Sequence, residues 1–171
     1  MIGALSKPVA ATFAAALLCA VQPAQAQDAQ TEAQATSDAQ NPAWHAQQQI
    51  YLLGLTPEDG WYFTEGGVRW RWLTYRASDR KPTVADVITV HYEGRLLDGT
   101  VFDSSYARGR PATFPLGRLV EGWQRAIPNM GVGDTIEIAI PADLAYGPVG
   151  SGPIPPNATL VFKVELIAIG G

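Results

Sequence analysis

The sequence predicts an α+β domain in which an antiparallel β-sheet wraps around one short amphipathic α-helix, with a short N-terminal helix ahead of it. Three observations lead there. From Trp61 onward apolar and polar residues alternate with the two-residue period of half-buried strands. Only one later stretch, around Trp123, carries an apolar stripe at helical spacing. The length of 171 residues, with 47% hydrophobic and 16% charged, supports one domain with a real core and little beyond it.

The first 26 residues read as a secretory leader rather than as part of the fold. Lys7 supplies a positive charge, Pro8 to Val21 form an apolar run, and Ala24-Gln25-Ala26 places small residues at the spacing of a cleavage site. The run is shorter than the roughly 20 residues a membrane-spanning helix needs. The alternatives are an uncleaved anchor or lipidation at Cys19, where the bulky Leu18 argues against the second. A mature chain is expected to begin at Gln27 and to contain no thiol, since Cys19 is the only cysteine. Residues 27 to 40 are polar and rich in Ala and Gln. They bury too little apolar surface to offset ordering entropy, so a disordered spacer is expected.

Residues 41 to 60 read as a helix and a turn. Asn41-Pro42 is a helix start, with Asn as N-cap and Pro at the first position, and Gly54 is a stop. Trp44, Ile50 and Leu53 are expected along one face. The main domain then runs from 61 to 171. Its strands show as Val68, Trp70 and Trp72, as Ile88, Val90 and Tyr92, as Ile136, Ile138 and Ile140, and as Leu160, Phe162, Val164 and Leu166. Asp98-Gly99 marks a hairpin leading into Val101 and Phe102. Val120, Trp123, Ala126 and Ile127 form the single helical stripe, which Pro128 must end or kink because its ring has no N–H.

Several chemistries find no support. A formal charge of −4 without a Lys/Arg cluster argues against nucleic acid. The two histidines, His45 and His91, have no partner at metal-ligand spacing, so no metal is expected. No G-x-S-x-G, P-loop or G-x-G-x-x-G occurs, and the carboxylates fall into no paired motif. What stands out is a set of aromatics beside Gly/Pro-rich loops: Tyr92, Phe102, Phe114, Trp123, Tyr146 and Phe162. Each alone is as readily a core residue. As a set they could line one apolar pocket. Pattern alone leaves both readings open.

Five ordered blocks resemble the FKBP-type peptidyl-prolyl isomerases. They are Val90-His91-Tyr92-Glu93-Gly94, Asp98 through Ser105, Val120-Glu121-Gly122-Trp123, Ala145-Tyr146-Gly147 and Ile154 through Phe162. The similarity covers roughly Gly67 to Ile169. It implies an FKBP-like fold and a pocket floored by Trp123. Tyr92, Asp103, Tyr146 and Phe162 would be its catalytic group, and Phe102, Phe114, Val120, Trp123 and Ile154 would hold the substrate. In that reading Val120 presents its backbone N–H to a substrate carbonyl, and Asp103 at the pocket edge orients rather than acts as a base. Without the resemblance, Asp103 is equally a turn residue beside Ser104 and Ser105. Ala112 stands where many members carry a second aromatic.

The implied function is acceleration of X-Pro rotation in unfolded or partly folded exported polypeptides, with no cofactor and with macrolide inhibitors as a further ligand class. The alternative from another class is a chaperone-like or partner-binding module using the same pocket with little catalysis. A dimeric relative with a long N-terminal helical region is a third form. The stretch from Asn41 to Leu53 is short, so a monomer is expected. The leader points to the periplasm, with full secretion as the alternative.

Overall fold

In the computed structural model, residues 41–170 are described. The leader and spacer readings lie outside these residues. Helix α1 spans Pro42–Leu53. The Asn41 side chain accepts the Ala43 N–H at 2.9 Å, satisfying one of the donors a helix start leaves free. Its buried face differs from the expected one. Gln48 and Leu52 are buried and Trp44 packs on the core, whereas Ile50 and Leu53 are 68% and 72% exposed. Trp44, Gln48 and Leu52 follow one another at steps of four residues and share a face. Ile50 is six residues from Trp44, more than one and a half turns round the helix, and so points elsewhere.

A one-turn 3₁₀ helix at Pro57–Asp59 leads into seven strands. They are β1 (Tyr62–Phe63), β2 (Arg69–Thr74), β3 (Val87–Arg95), β4 (Val101–Ser104), β5 (Ala112–Pro115), β6 (Thr135–Ile140) and β7 (Leu160–Gly170). They form one sheet in the order β1-β2-β6-β7-β3-β4, and every pairing is antiparallel. β4 and β5 take successive stretches of the same edge of β3. β7 lies between β6 and β3 and joins the two halves of the sheet. The Asp98-Gly99 turn forms as expected, with Gly99 at φ 91°, a conformation that favours glycine.

Along β3 burial alternates residue by residue, so Ile88, Val90 and Tyr92 share one buried phase. That face packs on helix α2, Glu121–Ala126. Pro128 follows in a 3₁₀ turn, Ile127–Asn129, and the Asn129 amide caps the helix by donating to the carbonyls of Arg125 and Ala126 at 3.1 and 3.0 Å. The helix lies close on β6. A Cβ at Gly122 would sit 2.4 Å from Ile140 Cγ2, so only glycine allows the approach. No helix among the described residues is long and apolar enough to cross a membrane.

Candidate active site

Five elements, four strands and one helix, bring five rings together on the buried face of the sheet. Tyr92 comes from β3, Phe102 from β4, Phe114 from β5, Trp123 from α2 and Phe162 from β7. Trp123, 4% exposed, is the hub. Tyr92 meets it edge to face at 5.5 Å between centroids, and Phe162 does the same at 5.3 Å. Phe102 stands edge-on to Phe162 at 5.6 Å, and Phe114 is tilted against Tyr92 at 6.1 Å. Near-perpendicular contacts place the positive ring edge on the negative face and hold the rings in defined orientations. Gly94 makes room for them, since a Cβ there would lie 2.6 Å from both Phe102 Cζ and Phe162 Cε1.

Polar groups converge at one side of the rings. The Tyr92 hydroxyl donates to Asp103 Oδ2, and Arg108 donates to Asp103 Oδ1. Arg108 also donates to the Tyr92 hydroxyl at 2.8 Å, with its guanidinium 5.4 Å from that ring's centre. Burial pushes the Asp103 carboxyl up, but hydrogen bonds from Tyr92 and Arg108 and the Arg108 charge outweigh it, and the carboxyl titrates below its usual range. Burial, reinforced by Asp103, raises the Tyr92 phenol. A carboxylate with both oxygens engaged and a lowered pKa is a poor proton acceptor and a good fixed acceptor of hydrogen bonds. Ser105, fully buried, holds Tyr92 from behind: its Oγ accepts the Tyr92 N–H at 2.7 Å, and its own N–H reaches the Tyr92 carbonyl at 2.9 Å.

Two donors at the helix start remain free. Val120 is the N-cap of α2, and its carbonyl accepts the Trp123 N–H at 2.9 Å. Among the described residues no acceptor takes the Val120 N–H. The buried Trp123 Nε1 is likewise without a partner. Ile154, 6% exposed, packs in the same cluster as Trp123 and Phe162. Tyr146 is 41% exposed and has no ring or hydroxyl contact to the other candidates among the described residues. An open hollow of about 490 Å³ elsewhere, lined by Asp59, Tyr62, Arg71 and Trp72 at the β1–β2 edge, includes none of them.

Arg108, Ser105 and the spatial role of Gly94 were not singled out from the sequence. Arg108 reaches its partners from a turn whose residues follow no period. Ser105 reads only as a turn residue until its hydroxyl is placed.

A sheet wrapped on one short helix, with a tryptophan floor and aromatic walls from four strands, is the architecture of an FKBP-like domain. The sequence model of FKBP-type peptidyl-prolyl cis-trans isomerases matches residues 78–167. The chain is 44% identical over 119 residues to the FKBP-type peptidyl-prolyl cis-trans isomerase FkpA of Aeromonas hydrophila, covering 70% of this chain and 44% of that one. It is 55% identical over 91 residues to the peptidyl-prolyl cis-trans isomerase Mip of Coxiella burnetii, covering 53% and 40%. Among solved structures, a peptidyl-prolyl cis-trans isomerase of Pseudomonas syringae pv. tomato superposes with a TM-score of 0.69 at 33% identity, over 80% of this chain and 96% of that one. The chain belongs to the FKBP-type peptidyl-prolyl cis-trans isomerase family. It spans less than half the length of these two curated relatives.

Proposed function

We propose that this protein accelerates cis/trans rotation about X-Pro bonds in unfolded or partly folded exported polypeptides. The observation that carries the reading is the five-ring cluster floored by Trp123, with a free backbone N–H at Val120 beside it. Amide resonance opposes rotation with a barrier of roughly 18–20 kcal/mol. Rotation breaks no bond to carbon and moves no proton, so a nucleophile and a base are not required. At the top of the barrier the twisted amide has lost conjugation and is less polar than the planar one. A dry aromatic surface accommodates that form better than the strongly hydrated ground state.

In this mechanism the proline ring rests on Trp123 between Tyr92, Phe102, Phe114 and Phe162. Val120 N–H and the Tyr146 hydroxyl donate to flanking carbonyls, which limits the conformations that must be searched. Asp103, held by Tyr92 and Arg108, orients the edge of the pocket. Lowering the barrier by about 6 kcal/mol accelerates rotation by roughly four powers of ten. Macrolides carrying a proline-like ring are a second ligand class for the same floor. The leader-like first 26 residues support a periplasmic location, and the shortness of α1 supports a monomer.

Isomerisation of a short X-Pro peptide by the chain beginning at Gln27, beside a Phe162→Ala variant, tests the reading. Clear acceleration by the parent, lost in a variant that circular dichroism shows to be folded, is the expected result. A folded parent chain without acceleration would leave a binding module in place of an enzyme.

A further inference from the structure

Gln48 is 5% exposed and lies mid-helix on the face of α1 that also carries Trp44 and Leu52. A buried amide is stabilised only when its polar atoms are paired. Its Oε1 accepts the backbone N–H of Thr159 at 2.9 Å, across 111 residues of sequence. Thr159 is 2% exposed, and no other acceptor among the described residues takes that N–H. Each group is therefore the other's means of being buried.

Thr159 closes the loop between β6 and β7, which carries Tyr146 and Ile154. The loop is tied to itself. The Asn157 N–H donates to the Gly147 carbonyl at 2.8 Å, and Ser151 and Ile154 exchange backbone hydrogen bonds at 2.9 and 3.0 Å. At Gly150 a Cβ would lie 2.3 Å from the Ile154 carbonyl oxygen, so backbone packs directly on backbone there and no side chain fits. A loop braced in this way shifts as a unit, and its seat is set where it is anchored. One anchor is the end of β6. The other is Thr159, three residues before Phe162, and its buried N–H is held only by α1.

We propose that Gln48 is a positioning residue for isomerisation: through the Thr159 N–H it sets the seat of the loop that offers Ile154 and Tyr146 to the substrate. The inference rests on the isomerase reading. It makes α1, which lies outside residues 78–167 matched by the family, a working part of the site.

The test compares the chain beginning at Gln27 with Gln48→Met, which keeps length and loses the strong acceptor, and Gln48→Glu, which keeps an oxygen there. Isomerisation kinetics on an X-Pro peptide and amide exchange at Thr159 are both read. In Gln48→Met, exchange at the Thr159 amide is expected to quicken about tenfold, the scale of leaving one buried donor unpaired. A comparable fall in kcat/KM should be carried by KM, while thermal unfolding remains a single transition. Gln48→Glu should recover most of both. Parent-like exchange and KM in Gln48→Met would overturn the proposal, as would a rate that falls only in step with the folded fraction. A parent chain that does not accelerate rotation would sink the isomerase reading, while the exchange measurement would still decide whether Gln48 seats the loop.

Discussion

Asp103 accepts hydrogen bonds on both carboxylate oxygens, and the consequence can be read in acid. Its folded-state pKa is lowered, so its contribution to stability is present above the ordinary carboxylate value of about 4 and is lost as pH falls through the lower folded value. Asp103→Asn is therefore expected to be less stable than the parent at neutral pH, by a small margin because the ion pair is partly exposed to solvent. The two should converge below pH about 3. Urea unfolding over a pH series checks this, and a gap that widens on acidification would contradict the assignment. The rings around Asp103 are legible in the sequence because Tyr92 and Phe162 sit on the apolar phase of strong strands and Trp123 on the one helical stripe. Arg108 is not legible. Its position depends on a turn folding back over β3 and β4, a tertiary fact that no local pattern encodes.

Helix α2 owes its position to an absent side chain. Gly122→Ala puts a methyl group 2.4 Å from Ile140 Cγ2, and either α2 or β6 must yield. A loss of about 1–3 kcal/mol in urea unfolding is expected, the usual range for overpacking. Because Trp123 is the next residue, a change in tryptophan emission should accompany it. An unaltered stability would mean that the helix floats free of β6. The same scale shows why α1 is only half legible. Asn41, Pro42 and Gly54 mark its ends by cap chemistry, but its buried face has a glutamine at its centre, and apolar periodicity passes over a polar residue. β5 escapes for another reason. Ala112-Thr113-Phe114-Pro115 is too short to show a period, and it becomes a strand because the edge of β3 beyond β4 is open to it.

Most of the sheet follows from alternation that is visible along the chain, since the long strands bury one phase toward α2. Ala139 of β6 and Val161 of β7 are buried on the other phase as well, Ala139 against Leu52 of α1 and Trp61. Strand order is not visible, because nothing local states which strand lies beside which. On the surface, the large apolar groups of α1 left exposed are Ile50 and Leu53. Two such residues fall far short of the roughly 800 Å² per partner that a stable interface takes. Gel filtration of the chain beginning at Gln27 is expected to give the monomer mass, and a peak near twice that mass would refute it. The place of β7 carries one further consequence. The strand that joins the β1-β2-β6 half to the β3-β4 half is the one furthest along the chain, and Phe162 lies on it. During synthesis the earlier strands leave the ribosome without the partner that unites them. The two halves of the sheet thus stay unjoined until β7 has emerged, so the aromatic floor gains its Phe162 wall only at the last step of synthesis.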